Sequence, residues 1–244
     1  AEPDPPALFA AQLGLQRRFG EALAEPLHQA LERITPQWPL PWPEGNGDRT
    51  LTGLIWRWRV AAGDAGAIAA AWAAVDGSSM TLARAGLRAL QCHALPEREA
   101  ALAAFHDRWQ ERPVILDAWF ALEASAPFAD GLERVERLLA HPRFDPIAPN
   151  SVRAVLGGLA GNPPVFHASD GSGYRFLADR ILDLDSRNPI TASRLAKVFS
   201  RWRSYGALRS ARMGEALERL AAAPLSANTR EVVGQCLGAG ANQR

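Results

Sequence analysis

"FHASDGSGYRFLADRILDLDSRNP", residues 166–189, decides how this chain folds. From Tyr174, the residues Leu177, Ala178, Ile181 and Leu182 follow at i+3, i+4, i+7 and i+8, which is one face of an α-helix. Arg175, Asp179, Arg180, Asp183 and Arg187 lie largely outside that stripe, and Asp183 and Arg187 have the spacing of an i,i+4 ion pair. The residues just before the helix place His167, Asp170, Ser172 and two glycines in one short run, which poses a choice between a catalytic loop and a corner. Ser-His-Asp sets are defined by three-dimensional geometry, with members normally distant in sequence. Ser172 sits directly between Gly171 and Gly173, so the G-x-S-x-G elbow is absent. No strand precedes and no third glycine completes a dinucleotide fingerprint. A calcium loop needs several acidic ligands, and only Asp170 is available. The run reads as a structural turn of His167, Asp170, Gly171 and Gly173. In it Asp170 or Ser172 caps the next helix, and the glycines supply backbone angles that other residues resist.

Working outward, the same helical period recurs. Val152, Val155, Leu156 and Leu159 form one stripe; Leu195, Val198, Phe199 and Trp202 form another. In "ADGLERVERLLA" the apolar face is Leu132, Val135, Leu138 and Leu139, and Asp130 with Glu133 has capping-box spacing. Pro149-Asn150 and Asn188-Pro189 open helices, while Pro96, Pro113 and Pro224 mark breaks. No alternating strand is present in the pattern. Residues 35–48, "TPQWPLPWPEGNGD", hold four prolines and two glycines and read as an irregular surface loop (36–47 at its centre) pinned by Trp38 and Trp42. The chain is therefore expected to be all-α, with roughly ten to twelve helices of about 9–18 residues joined by short links. Such helices stack as antiparallel pairs in an irregular α-solenoid or superhelix, ARM/HEAT-like but without a fixed repeat period. One all-helical domain over residues 1–244 is expected, with a compact orthogonal bundle as the other arrangement.

Composition narrows the function classes. Apolar residues make up 48% of the 244 and charged residues 22%, which suits a globular protein. No apolar run approaches the ~20 residues of a membrane span. The net charge of +1 provides no whole-protein field for nucleic acid or anionic lipid. Arg194, Lys197 and Arg201 form a basic stripe beside Trp202 and Tyr205, and with balanced charge this reads as a solvated helix face rather than a nucleic-acid surface. Lys197 is the only lysine. Cys92 and Cys236 share no motif, so a reducing cytoplasm is the expected compartment. His28, His93, His106, His141 and His167 include no pair with H-E-x-x-H or H-x-H spacing, so no metal site is expected. The chain opens on Ala1 rather than methionine, which reads as a processed product or a piece of something longer.

Arg153 stands out. If Asn150 caps its helix, Arg153 falls at the third position, where a cation opposes the helix dipole at a cost of ~0.3–1 kcal/mol. A carboxylate partner or a ligand anion is expected to offset it.

"DGSSMTLARAGLRAL", "VILDAWFALEASAP", "LERVERLLAHPRF", "PNSVRAVLGGLAGN", the quoted 166–189 run and "TASRL" occur in that order. Together they resemble the last, all-helical domain of bacterial aminopeptidase N, the zinc-dependent alanyl aminopeptidases. The resemblance spans about Asp48 to Leu220 and is strongest from Val114 to Leu195. It implies an α-superhelix that packs over a zinc-bearing domain and encloses the active site, so that only short or unfolded peptides enter. The family's H-E-x-x-H and G-x-M-E-N stretches are absent from this chain. The resemblance therefore implies a non-catalytic cap. Its partners would be the catalytic domain of the same enzyme and peptide substrates, and zinc is expected in that other domain. Arg153 of "PNSVR" and Arg194 of "TASRL" match arginines of the channel wall, and Asn188 matches the shared helix opening before Arg194. An arginine fork suits a peptide carboxylate, which accepts two parallel hydrogen bonds. Ile190 stands where the family usually has glutamine, and Ser151 where arginine is common. A free-standing solenoid that binds peptides or proteins in its concave groove is the alternative function.

Overall fold

A computed structural model of the chain describes residues 2–34 and 44–238. Every regular element in those ranges is helical: α1 (Pro5–Ala22), α2 (Ala24–Ile34), α3 (Asn46–Ala61), α4 (Ala65–Val75), α5 (Met80–Leu90), α6 (Pro96–Trp109), α7 (Pro113–Ala124), α8 (Gly131–Leu139), α9 (Pro149–Val152), α10 (Gly158–Ala160), α11 (Pro163–Phe166), α12 (Ser172–Asp185), α13 (Pro189–Ala196), α14 (Ala207–Ala221) and α15 (Ala227–Gly238). A π-helical turn, Arg153–Gly157, joins α9 to α10, and a 3-10 stretch, Lys197–Ser204, follows α13. Twelve of the described α-helices reach eight residues or more, in line with the all-α reading. Trp38 and Trp42 lie outside the described residues, and the expected loop ends early, because Asn46 already opens α3.

The contacts divide into two compact units. In Ala10–Arg112, α3, α4, α5 and α6 pack against their sequence neighbours, the pattern of stacked helix pairs. Small residues set the closest approaches. A Cβ on Gly86 of α5 would lie 2.2 Å from the Ala71 carbonyl of α4, and one on Gly20 of α1 would lie 2.0 Å from the Trp58 carbonyl of α3. Ile55, Val60, Ala71, Leu87, Leu90 and Phe105 are buried there.

The second unit comprises the residues up to Phe9 and those from Pro113 onward. Its core joins Phe120, Val155, Leu159, Phe166, Tyr174, Leu177, Ile181, Phe199 and Leu217. These include the apolar stripes read from the sequence, since a helix with one apolar side lies stably only where that side meets another. Each fully buried side chain of this size contributes about 1.5–3 kcal/mol. α12 packs on α13 and α14, α13 on α15, and α7 on the π-helical turn.

Three local expectations are corrected. Asp183 does not pair with Arg187: its carboxylate meets Arg180 at 3.2 Å, and the Arg187 Nε donates instead to the Asp183 carbonyl. Asp130 sits at the cap of α8 without a capping hydrogen bond, because Arg134 and Arg137 take its carboxylate. Asn150 is not a cap. α9 begins two residues earlier than that cap would give, at Pro149 with Ala148 at the cap position, and Asp145 Oδ1 accepts the amides of Ile147 and Ala148.

Candidate functional site

The corner at 166–176 is built for packing. Gly171 has φ +72°, the left-handed region that favours glycine. Neither Asp170 nor Ser172 is the cap expected of them: Gly171 holds the cap position of α12 with no side-chain cap, and Asp170 Oδ1 accepts from the Ser172 amide at 3.0 Å and the Ser172 hydroxyl at 2.8 Å just ahead of the helix. These bonds hold the Asp170 carboxyl below its ordinary range. The Arg175 guanidinium donates to the Asp170 carbonyl. Gly173 is needed for a reason other than backbone angle. It lies in helical conformation, and a Cβ there would sit 2.5 Å from the Phe166 carbonyl.

His167 takes no part in that knot. The residue is 7% exposed; its ring bonds the Tyr174 hydroxyl through Nδ1 at 2.7 Å and lies against the rings of Phe166, Tyr174 and Tyr205. Burial, reinforced by the Arg209 charge, lowers its pKa from 6.5 to about 4. Burial also raises Tyr174 well above the ordinary phenol range. Arg209 donates to the His167 carbonyl and pairs with Asp4 at 3.2 Å. Asp170 and Ser172 bond each other and His167 bonds Tyr174, so the three do not converge. Arg209 and Tyr205 are partners that the sequence did not reveal, because neither lies at a helical spacing from His167.

The channel candidates occupy a different part of the same unit. Arg153 is exposed, at the start of the π-helical turn and in the second turn of its helix, so the dipole penalty expected at the third position is largely gone. Its guanidinium donates to Asn150 Oδ1 at 2.8 Å. Asp117 of α7 is the nearby carboxylate: burial raises its pKa, and the Arg153 charge works against that rise. Asp117 went unremarked in the sequence, although a lone carboxylate in "VILDAWF" is a visible signal. Single π-helical turns interrupt α-helices frequently at functional sites.

Asn188 caps α13 as its sequence predicts, Oδ1 accepting the Thr191 amide at 3.0 Å. Its Nδ2 donates to the Ile147 carbonyl at 2.9 Å, tying the loop before α9 to the start of α13. Arg194 lies four residues beyond Ile190, and both are exposed. Among the described residues, neither Arg194 nor Lys197 has an ion-pair partner. α13 also packs on the π-helical turn that begins with Arg153.

The donor set does not fit a zinc ion. Among the described residues, no group of three or more His, Cys, Asp or Glu side chains lies close enough to hold a metal. Among those residues, no helix is long and apolar enough to cross a membrane.

A family model described as a domain of unknown function (DUF3458_C) with ARM repeats matches residues 1–238. The chain belongs to the DUF3458_C family. This DUF3458_C domain is 43% identical over 146 residues to aminopeptidase N of Escherichia coli (strain K12), a match covering 59% of this chain and 17% of that protein. It is 45% identical over 143 residues to aminopeptidase N of Caulobacter vibrioides, covering 58% of this chain and 17% of that one. The fold matches aminopeptidase A of Legionella pneumophila, solved in complex with aspartic acid, with a TM-score of 0.88 and 27% identity, over 98% of this chain and 29% of that chain. The match thus spans about a sixth of the length of these curated relatives. The DUF3458_C chain is an aminopeptidase-associated helical domain of the C-terminal kind.

Proposed function

We propose that this domain is the non-catalytic cap of an aminopeptidase N-like zinc metallopeptidase, closing the active-site cavity and admitting short or unfolded peptides. One observation supports the reading: 98% of this chain matches 29% of the solved aminopeptidase A chain. The bond-breaking groups and the zinc belong, in this reading, to the remaining part of the enzyme. Arg153 and Arg194 face the channel and draw the carboxylate end of the peptide, whose amino end is held by the catalytic part. A guanidinium provides two parallel donors for that carboxylate. Asn188 acts by position, since its amide is used at both ends to set α13 against the loop that leads to Arg153. Two unpaired cysteines, Cys92 and Cys236, suit a reducing compartment, and we place the domain in the cytoplasm.

The test is to mix the chain with the separately produced catalytic portion. Co-elution as a complex, with a sharpened preference for short peptides, is the expected outcome. Two parts that neither associate nor alter each other's peptide hydrolysis would remove the cap role and favour a free-standing peptide-binding solenoid.

A further inference from the structure

Between the loop before α9 and the last turns of α12 lies a pocket of about 160 Å³. Phe144, Pro146, Val152 and Leu156 form its apolar wall. Apolar space of ~150 Å³ accommodates a benzene-sized group. Arg187, Arg180 and Asp183 also line it, two guanidiniums against one carboxylate, so the charged side is net positive. Asp183 is taken by Arg180 at 3.2 Å. Arg187 spends only its Nε, on the Asp183 carbonyl, and among the described residues no carboxylate pairs with it. The Arg180 Nε is a buried donor with no acceptor among the described residues. A buried donor left unpaired is costly, and an incoming acceptor relieves that cost.

We propose that this pocket binds the C-terminal residue of a peptide when that residue has a large apolar side chain and a free carboxylate. The side chain enters between Val152 and Phe144, and the carboxylate, drawn in by Arg153 and Arg194, comes to rest on the guanidinium of Arg187. Ile147, which follows Pro146, is 50% exposed, and Ile190 is 58% exposed. The Asn188 side chain bonds the Ile147 carbonyl, which fixes the Ile147 backbone against the start of α13, two residues before Ile190. Ile147 and Ile190 extend the apolar surface outward for the preceding residues of the peptide. The inference rests on the reading of this domain as one that meets peptide substrates, and it assigns the chemical class of their far end.

The experiment titrates the intact chain with Ala-Ala-Leu, its C-terminal amide and Ala-Ala-Ser, following the methyl resonances of Val152 and Leu156 by NMR. Saturable shifts with Ala-Ala-Leu are expected, with binding at least about tenfold weaker for the amide and for Ala-Ala-Ser. Arg187→Gln alters an exposed side chain and leaves the core intact; it should bring the acid down to the affinity of its amide. Equal binding of acid and amide, absence of shifts at the solubility limit, or shifts confined to other methyls would each overturn the proposal. Because the titration uses this chain alone, loss of association with a catalytic portion removes the cap reading and leaves this result standing.

Discussion

Two buried titratable residues give the chain an acid-side signature. His167 is held neutral by burial and by Arg209, at about 4 against 6.5 when free. A depressed histidine takes up its proton more readily in the unfolded chain. Its contribution is therefore complete above pH 6.5 and is lost as pH falls from 6.5 towards 4, by up to about 3 kcal/mol. Chemical denaturation across that window should show the slope, and His167→Gln should flatten it. Asp185, 5% exposed, acts in the same sense but in a lower pH window. Burial alone would raise its pKa, but the Ser226 amide, the Thr229 and Ser226 hydroxyls and the Arg230 charge outweigh it and hold the carboxyl below its ordinary 3.8. Its stabilisation is present above that value and disappears as pH falls further. The carboxylate accepts from the Ser226 amide at 2.6 Å, the Ser226 hydroxyl at 2.7 Å and the Thr229 hydroxyl, fastening the start of α15 to the end of α12. Asp185→Ala leaves three donors without their acceptor, and we expect a loss of about 3 kcal/mol, read as a lower unfolding midpoint.

At the scale of elements, glycine substitutions separate packing from propensity. In α12, Gly173→Ala drives a methyl against the backbone of Phe166, an atom that cannot move aside, and should destabilise by about 2 kcal/mol. In α15, Gly234 has nothing within 4 Å of its missing Cβ. Gly234→Ala should therefore stabilise by about 0.5–1 kcal/mol, since alanine restricts the unfolded chain and favours helix. Thermal unfolding of the two variants side by side should give midpoints displaced in opposite directions. The periodic faces of these helices were legible because a 3.6-residue period is a local property. Their end chemistry was less so: Asp130 had cap spacing, yet two arginines further along α8 compete for its carboxylate and win.

At the scale of the molecule, the donors among the described residues fit no metal, and we expect none retained: after dialysis, elemental analysis should find zinc far below one ion per chain. In the assembled enzyme, Arg153→Ala and Arg194→Ala should each raise KM about tenfold for peptides with a free carboxylate and leave amidated peptides nearly unchanged. Equal effects on both peptide classes would reassign the two arginines to structure. The order of motifs along the chain carried the likeness to aminopeptidase N, whereas the pocket beside Arg187 left no mark in it, because its walls come from two separate segments, Leu139 to Leu156 and Arg180 to Arg187.

What the sequence determined by itself was the helical class, the buried faces, the proline-marked starts and the kinship. Each of these is written in spacing along one helix or in the order of motifs. What only the tertiary structure decided was which helix faces which: that His167 turns to Tyr174 and away from Asp170, that Asp117 stands near Arg153, and that Asn188 reaches back to Ile147. Such pairings depend on the packing of surfaces far apart in the chain, and no local period encodes the choice.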